Sequence, residues 1–182
     1  MFTMITLTEL LDTDLLNDMV ELGYVKYQCH PTAPLVIYNY SHKAQYDRVW
    51  NDVTKKCRGL IVNSDTGEVV ARPLEKFFNL GEHDENDPTL TGPFTIANKL
   101  DGSLGIIYPL TTHEFGNECD EWAVATRGSF TSPQAIKATE MLKDYQFDIP
   151  PGCTLLVEII YPQNRIVVDY GKEEKLVAIA SI

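Results

Sequence analysis

The 182-residue chain has no apolar run of membrane-spanning length, which argues against a spanning helix. Its start, Met1-Phe2-Thr3-Met4-Ile5-Thr6, has no basic region ahead of an apolar stretch, which argues against a signal peptide. Cysteine is sparse. Cys29, Cys57, Cys119 and Cys153 form no Cys-x-x-Cys pair, against a zinc ribbon or a thioredoxin-like site. Their wide spacing suits reduced core thiols in a cytosolic protein, with a disulfide form left open. His30, His42, His83 and His113 lack metal-ligand spacing and read as ordinary surface or loop residues. Basic residues are also few. Lys and Arg total 15 against 26 Asp and Glu, for a net charge of −11. That balance argues against broad, sequence-independent binding to duplex DNA, because phosphate contacts need cations.

The cations are unevenly spread. Lys55, Lys56, Arg58, Arg72 and Lys76 cluster, while acidic residues crowd Glu82 to Asp87 and Glu114 to Glu121, so a local anion site remains open. Hydrophobic residues make up 44%, enough for a core. Repeats, low-complexity tracts and linkers are absent from the sequence.

Thr6-Leu7-Thr8-Glu9 reads as a capping box. Leu7, Leu10, Leu11, Leu15, Met19 and Leu22 then predict one helix closed by Gly23. Strands are predicted over 24–28 and 35–40, around Pro31 and Pro34. Further strands at 60–63 and 68–71 flank the turn Ser64-Asp65-Thr66-Gly67. The stretch 82–93 reads as a polar loop. Strands follow over 94–98, 104–108 and 122–126. Ser132-Pro133 predicts an N-cap with proline at the first helical position. The last strands are predicted over 154–160, 165–169 and 175–182. Many antiparallel strands with few helices indicate an α+β class.

The heptapeptide Lys99-Leu100-Asp101-Gly102-Ser103-Leu104-Gly105 carries the most chemistry. A strand that delivers the lysine, followed by an Asp-Gly turn, can hold an amine against a phosphate. A deprotonated lysine is a nucleophile. Alone, Lys-x-Asp-Gly is a weak signal, equally readable as a hairpin with an exposed lysine. Three other segments add specificity. They are Cys57-Arg58-Gly59-Leu60-Ile61-Val62, Ala71-Arg72-Pro73-Leu74-Glu75-Lys76-Phe77-Phe78-Asn79-Leu80, and Val157-Glu158-Ile159-Ile160-Tyr161-Pro162-Gln163-Asn164-Arg165-Ile166-Val167.

In this order, from about Tyr38 onward, the segments resemble the N-terminal adenylyltransferase domain of RNA ligases of the T-even bacteriophage RNA ligase 1 type. The resemblance implies a covalent nucleotidyltransferase domain of largely antiparallel sheets flanked by helices, spanning residues 1–182. It implies that Lys99 attacks the α-phosphate of ATP, with Mg²⁺ (or Mn²⁺), to form lysyl-AMP. AMP then passes to an RNA 5′-phosphate, and a 3′-hydroxyl displaces it, as in repair of cleaved tRNA. Asp101 would orient the lysine or a metal-bound water, or simply form the turn. Gly102 would give the backbone room near the nucleotide.

By the same resemblance Arg58 and Lys76 are phosphate contacts, against a strand-end ion pair and a surface lysine. Phe78 is the better ligand candidate of the pair Phe77-Phe78, both of which also read as core. Tyr38 is a nucleotide contact or a packed strand residue. Arg127-Gly128-Ser129 stands where the phage ligase has Lys-Gly-Ser, so a cation is kept and its type changes. Glu158 is a ribose or metal contact, or an outward strand residue. Asn98 could offer backbone groups to adenine, and Val177 or Ile179 an apolar floor. Beyond these readings, the sequence leaves the metal ligands open.

Two alternatives stand: a DNA ligase or GTP-using mRNA capping relative, and a nucleotide- or RNA-binding remnant without turnover. The Glu-Gly-x-Val and Lys-x-Lys segments of full-length ligases are absent, and the chain stops inside the apolar run 175–182. The expectation is therefore an N-terminal part of a longer enzyme, or half of a split one completed by a C-terminal domain or a partner chain. The expected location is cytoplasmic, the host cytoplasm if phage-encoded.

Overall fold

A computed structural model describes residues 5–79, 82, 93, 96–114, 117–150 and 152–182, with the backbone alone at 111–114 and 117–120. The chain begins with α1 (Leu7–Leu10) and α2 (Thr13–Glu21). Glu9 Oε2 accepts from the Thr6 backbone N–H at 2.8 Å, as the capping box predicts. The single helix expected over this stretch is two. Asp12 Oδ1 accepts from the backbone N–H groups of Asp14 and Leu15, at 3.0 and 3.1 Å. Its carboxylate thus caps a fresh helix and takes its own backbone out of the old one.

Next come β1 (Val25–Cys29), β2 (Leu35–Tyr40), α3 (His42–Tyr46), α4 (Asp52–Lys56), β3 (Arg58–Asn63) and β4 (Val69–Ala71). The second half holds β5 (Ser103–Glu114), β6 (Asn117–Ala125), α5 (Pro133–Leu142), β7 (Leu155–Ile160), a 3₁₀ turn (Pro162–Asn164) and β8 (Lys175–Ser181). The strands make two four-stranded sheets, ordered β1-β2-β3-β4 and β6-β5-β7-β8, and every pairing is antiparallel. The α+β class is as expected.

Period-two alternation sorts the side chains into layers. From the first sheet, Leu35, Ile37, Ile61 and Ala71 meet Ile106, Tyr108, Ala125 and Leu156 of the second, so the sheets pack face to face. Leu60 and Val62 point the other way, onto Leu10, Leu16, Met19 and Val53 of the N-terminal helices. The outer face of the second sheet is covered by Ala138, Met141 and Leu142 of α5. Ser132 Oγ caps α5 at Ala135 N, 3.2 Å away, one residue before Pro133. Ile37, Ile61, Ile106 and Ile159 are each at most 1% exposed. Burying each such side chain contributes about 1.5–3 kcal/mol.

Several sequence expectations are corrected. Residues 96–98 form no strand, and 94–95 lie outside the described residues. The β5 ladder starts only at Ser103, so Lys99 precedes a strand rather than ending one. Residues 165–169 form no strand either. The Asp101 carboxylate accepts the backbone N–H groups of Val167 and Val168, both at 2.7 Å, which removes those donors from any ladder. The 82–93 loop falls outside the described residues except for Glu82 and Pro93. Of the described cysteine side chains, Cys57 is a core thiol, whereas Cys29 is exposed and Cys153 half-buried. Among the described residues no helix is long and apolar enough to cross a membrane.

Candidate active site

Gly59 sets the first half of the site. Its φ of +95° suits glycine, and it sits in a bulge of the β2–β3 pairing, where Asn39 pairs with Arg58. A Cβ there would lie 2.4 Å from Ile106 Cδ1 and 3.3 Å from the Arg127 carbonyl oxygen. The missing side chain therefore lets the turn between Thr126 and Ser129 close onto β3. Arg127 and Arg58 become neighbours as a result.

Each cation at this end of the sheets rests on an aromatic ring. Arg127 Nη1 donates to Tyr40 Oη at 2.8 Å, and its guanidinium carbon lies 4.8 Å from the Tyr40 ring centre. Arg58 Nη1 donates to the Leu74 carbonyl at 3.2 Å, and its guanidinium lies over Phe77 at 4.9 Å. Lys76 Nζ lies 4.2 Å from the Phe78 ring and 5.4 Å from Trp50, and donates to the Phe77 carbonyl. Tyr40, Trp50 and Phe78 meet edge to face, at 5.1 and 5.6 Å. The segment that carries Lys76 is fixed to α4 by Lys76 N–H to the Lys55 carbonyl, 2.9 Å.

Among the described residues, none of the three cations forms an ion pair. Burial holds Arg58 below its ordinary pKa; Tyr40 counteracts this and the Arg127 charge adds to it. Burial also lowers Lys76; Glu82 opposes that shift, while Arg58 and Arg127 reinforce it. Three neighbouring cations that form no ion pair among the described residues concentrate positive charge at this end of the sheets.

The second half of the site is the Lys99 turn. Lys99 and Asn98 are exposed. Gly102 N–H donates to Glu158 Oε1 at 2.8 Å across the β5–β7 pair. Burial raises the Glu158 pKa above the ordinary carboxylate value. The Gly102 N–H and the Lys99 charge oppose that shift, Asp101 adds to it, and Arg58 opposes it. Glu158 thus senses both the lysine turn and the cation cluster. Its register partner on β8 is the half-buried Val177, while Ile179 is 45% exposed.

Asp101 Oδ2 accepts the backbone N–H groups of Val167 and Val168. Its two backbone amide partners, Val168 and Val167, depress its pKa, and Lys99 adds a smaller push. The Asp101 N–H in turn donates to Tyr170 Oη at 3.0 Å. Ser103 Oγ donates to Asn164 Oδ1 at 3.0 Å, and Asn164 Nδ2 donates to the Ile159 carbonyl at 2.8 Å. The 162–170 segment is therefore tied to the turn at several points.

The structure groups Arg58, Lys76, Phe78 and Arg127, and links Lys99, Asp101 and Gly102 to them through Glu158. Tyr38 lies apart. It packs on the helix-side core and its ring is 6.0 Å from Tyr27. The room expected at Gly102 faces a strand, since a Cβ there would meet the Ile159 carbonyl oxygen at 2.4 Å. Phe77, read as core, is 59% exposed and carries Arg58. Tyr40, Trp50 and Tyr170 have no part in the sequence-based expectations for the site, and Asn164 enters only within a motif segment. Tyr40 shares the Tyr38-Asn39-Tyr40 triplet, and Trp50 is one of two tryptophans, so aromatic content near the basic cluster was the available signal.

A protein of Thermovibrio ammonificans named "Putative RNA ligase" is 33% identical to this chain, over 66% of the chain and 32% of that protein. A second relative, from Autographa californica nuclear polyhedrosis virus, is named "Putative bifunctional polynucleotide kinase/RNA ligase". It is 27% identical over 98% of the chain and 28% of its own length. A third, named "Uncharacterized protein ORF64", comes from Ostreid herpesvirus 1 and is 26% identical over 81% of the chain and 37% of its own length. The chain thus spans about a third of the length of the curated relatives it matches. The family model described as RNA ligase matches residues 56–182, a stretch that holds Arg58, Lys76, Lys99, Arg127 and Glu158, and the chain belongs to that RNA ligase family.

Proposed function

We propose that this chain is the adenylyltransferase part of an ATP-dependent RNA ligase, built as a nucleotidyltransferase domain over residues 1–182. The observation that carries the reading is the cluster Arg58, Lys76 and Arg127, cationic and without ion-pair partners among the described residues, joined to the Lys99 turn through Glu158. Triphosphate oxygens suit that cluster. Arg58 and Arg127 offer planar donors that can grip two oxygens each, and Lys76 a point charge.

Lys99 Nζ then attacks the α-phosphorus. A nitrogen–phosphorus bond forms, the bond to pyrophosphate breaks, and the amine gives up a proton to solvent. The cluster stabilises charge on the departing pyrophosphate. AMP next passes to the 5′-phosphate of an RNA strand, a 3′-hydroxyl attacks, and AMP leaves; cleaved tRNA is one substrate of this kind.

Among the described residues, no group of three His, Cys, Asp or Glu side chains could hold a metal ion. A divalent cation, Mg²⁺ or Mn²⁺, would enter on the triphosphate as part of the substrate, where it neutralises charge.

The test is incubation with α-labelled ATP and Mg²⁺, followed by a denaturing gel. Wild type should retain label and Lys99→Ala should lose it while keeping its fold. An AMP adduct on Lys99→Ala places the nucleophile elsewhere, and a GTP adduct in place of AMP points to capping chemistry.

A further inference from the structure

A groove opens beside Arg127 and Tyr40. Its volume is about 400 Å³, and Lys26, Tyr27, Asn39, Tyr40, His42 and Arg127 are among its lining residues. None of the lining residues is acidic, in a chain with 26 Asp and Glu against 15 Lys and Arg. Its position follows from strand pairing. Lys26 of the edge strand β1 is the register partner of Asn39 on β2. Asn39 packs against the Arg127 turn, where a Cβ on Gly128 would lie 3.4 Å from Asn39 Nδ2. Lys26 and Arg127 therefore stand on opposite sides of an Asn39 floor.

The floor is polar and incompletely satisfied. Asn39 Oδ1 is buried and has no hydrogen-bond partner among the described residues. Tyr27 stands at the rim, 57% exposed, with its ring tilted against Tyr38 at 6.0 Å. An exposed ring beside two cations matches a single-stranded polynucleotide. The ring offers a stacking surface and the cations follow the backbone.

We propose that this groove holds the single-stranded end of the RNA that receives AMP. The proposal rests on the ligase reading above. Arg127 belongs to both halves: it faces the nucleotide cluster through Arg58 and Tyr40, and it lines the groove. One guanidinium then marks the boundary between triphosphate and RNA. Lys26 and Tyr27 serve the RNA alone.

The experiment uses a fluorescent 5′-phosphorylated single-stranded 12-nucleotide RNA (a length of about one binding site) and fluorescence anisotropy without ATP. Both positions are exposed, so the double variant Lys26→Glu/Tyr27→Ala keeps its fold, checked by melting. Its RNA affinity should fall by about tenfold or more, since loss of one stacking surface alone has that size. Its dependence on salt should weaken, and its label uptake from ATP should stay within about twofold of wild type.

Equal RNA affinity in wild type and variant, or no binding by wild type, overturns the groove. Loss of ATP labelling in the variant also overturns it, because the groove would then belong to the nucleotide site. A wild type that binds RNA in this groove yet takes no label from ATP supports the groove as an RNA site and overturns the lysyl-AMP reading instead.

Discussion

Glu158 and Gly102 are joined across two strands: the carboxylate Oε1 accepts the Gly102 backbone N–H at 2.8 Å. The bond places a carboxylate from the middle of β7 directly behind the turn that carries Lys99. It depends on how near the two strands come. A Cβ on Gly102 would sit 2.4 Å from the Ile159 carbonyl oxygen, an atom of the ladder that cannot swing aside.

Gly102→Ala should therefore push the turn off β7. Overpacking of this type costs about 1–3 kcal/mol. The expected outcome is a lower denaturation midpoint with an unchanged m-value, together with loss of covalent labelling. A Gly102→Ala protein that melts and labels like wild type would show that the turn has freedom to move.

Glu158→Gln tests the same bond from the other side. Glutamine can still accept the Gly102 N–H but carries no charge to desolvate. The folded protein raises the Glu158 pKa, chiefly through burial, so the folded state favours the protonated form. That contribution to stability is complete below the unfolded pKa of about 4.3 and is lost as pH rises through the folded value. Thermal melts should then show Glu158→Gln level with wild type near pH 4 and equal or more stable at pH 7. Label uptake from ATP should fall at pH 7. A variant less stable than wild type at pH 7 only would reverse the sign and overturn the burial account.

Asp101 has the opposite sign. Val168 and Val167 hold its carboxylate below the ordinary range. Its stabilising effect is present above the unfolded pKa of about 3.9 and disappears as pH falls through the lower folded value. Asp101→Asn should lower the melting temperature at pH 7, and the gap to wild type should close in acid. Hydrogen exchange at the Val167 and Val168 amides should accelerate at pH 7. Unchanged protection of both amides would mean that the segment is held without the carboxylate.

The layers were legible in the sequence, because they rest on local rules. Period-two apolar alternation over Leu35–Tyr40 and Ser132-Pro133 before α5 each specify one local geometry. The failures share a different cause. Asp12, which divides the first helix, and Asp101, which diverts residues 167–168, act by side-chain bonds to backbone, and composition does not reveal which amides they take. The site behaved likewise. The cations Arg58, Lys76 and Arg127 stand in motif segments and were visible. Tyr40 and Trp50 became visible only once the Gly59 bulge had turned the end of β2 toward the Arg127 turn. Tyr38 and Tyr40 share one triplet, and only the three-dimensional packing separates a half-buried tyrosine beside the helix-side core from a buried one that carries a guanidinium.

Arg127 provides the sharpest test of the anion site, because it combines a geometric bond with an unfavourable charge contact. It donates to Tyr40 Oη at 2.8 Å while adding to the forces that lower the Arg58 pKa. Removing it relieves repulsion within the protein but takes a donor from the substrate. Arg127→Met should hence melt at or above the wild-type temperature, while the ATP concentration for half-maximal labelling rises. Hydrogen bonds to charged groups contribute about 1.5–3 kcal/mol, so the rise should be about 10- to 100-fold. Arg127→Lys retains the charge without the planar fork and should fall between the two. Tyr40→Phe keeps the ring under the guanidinium and removes only its oxygen partner, so it should cost less than Arg127→Met. In the Tyr40→Phe/Arg127→Met pair, the effect of the tyrosine change should vanish once the arginine is gone. If the two losses simply add, Tyr40 does not orient Arg127, and the guanidinium reaches the triphosphate without its help.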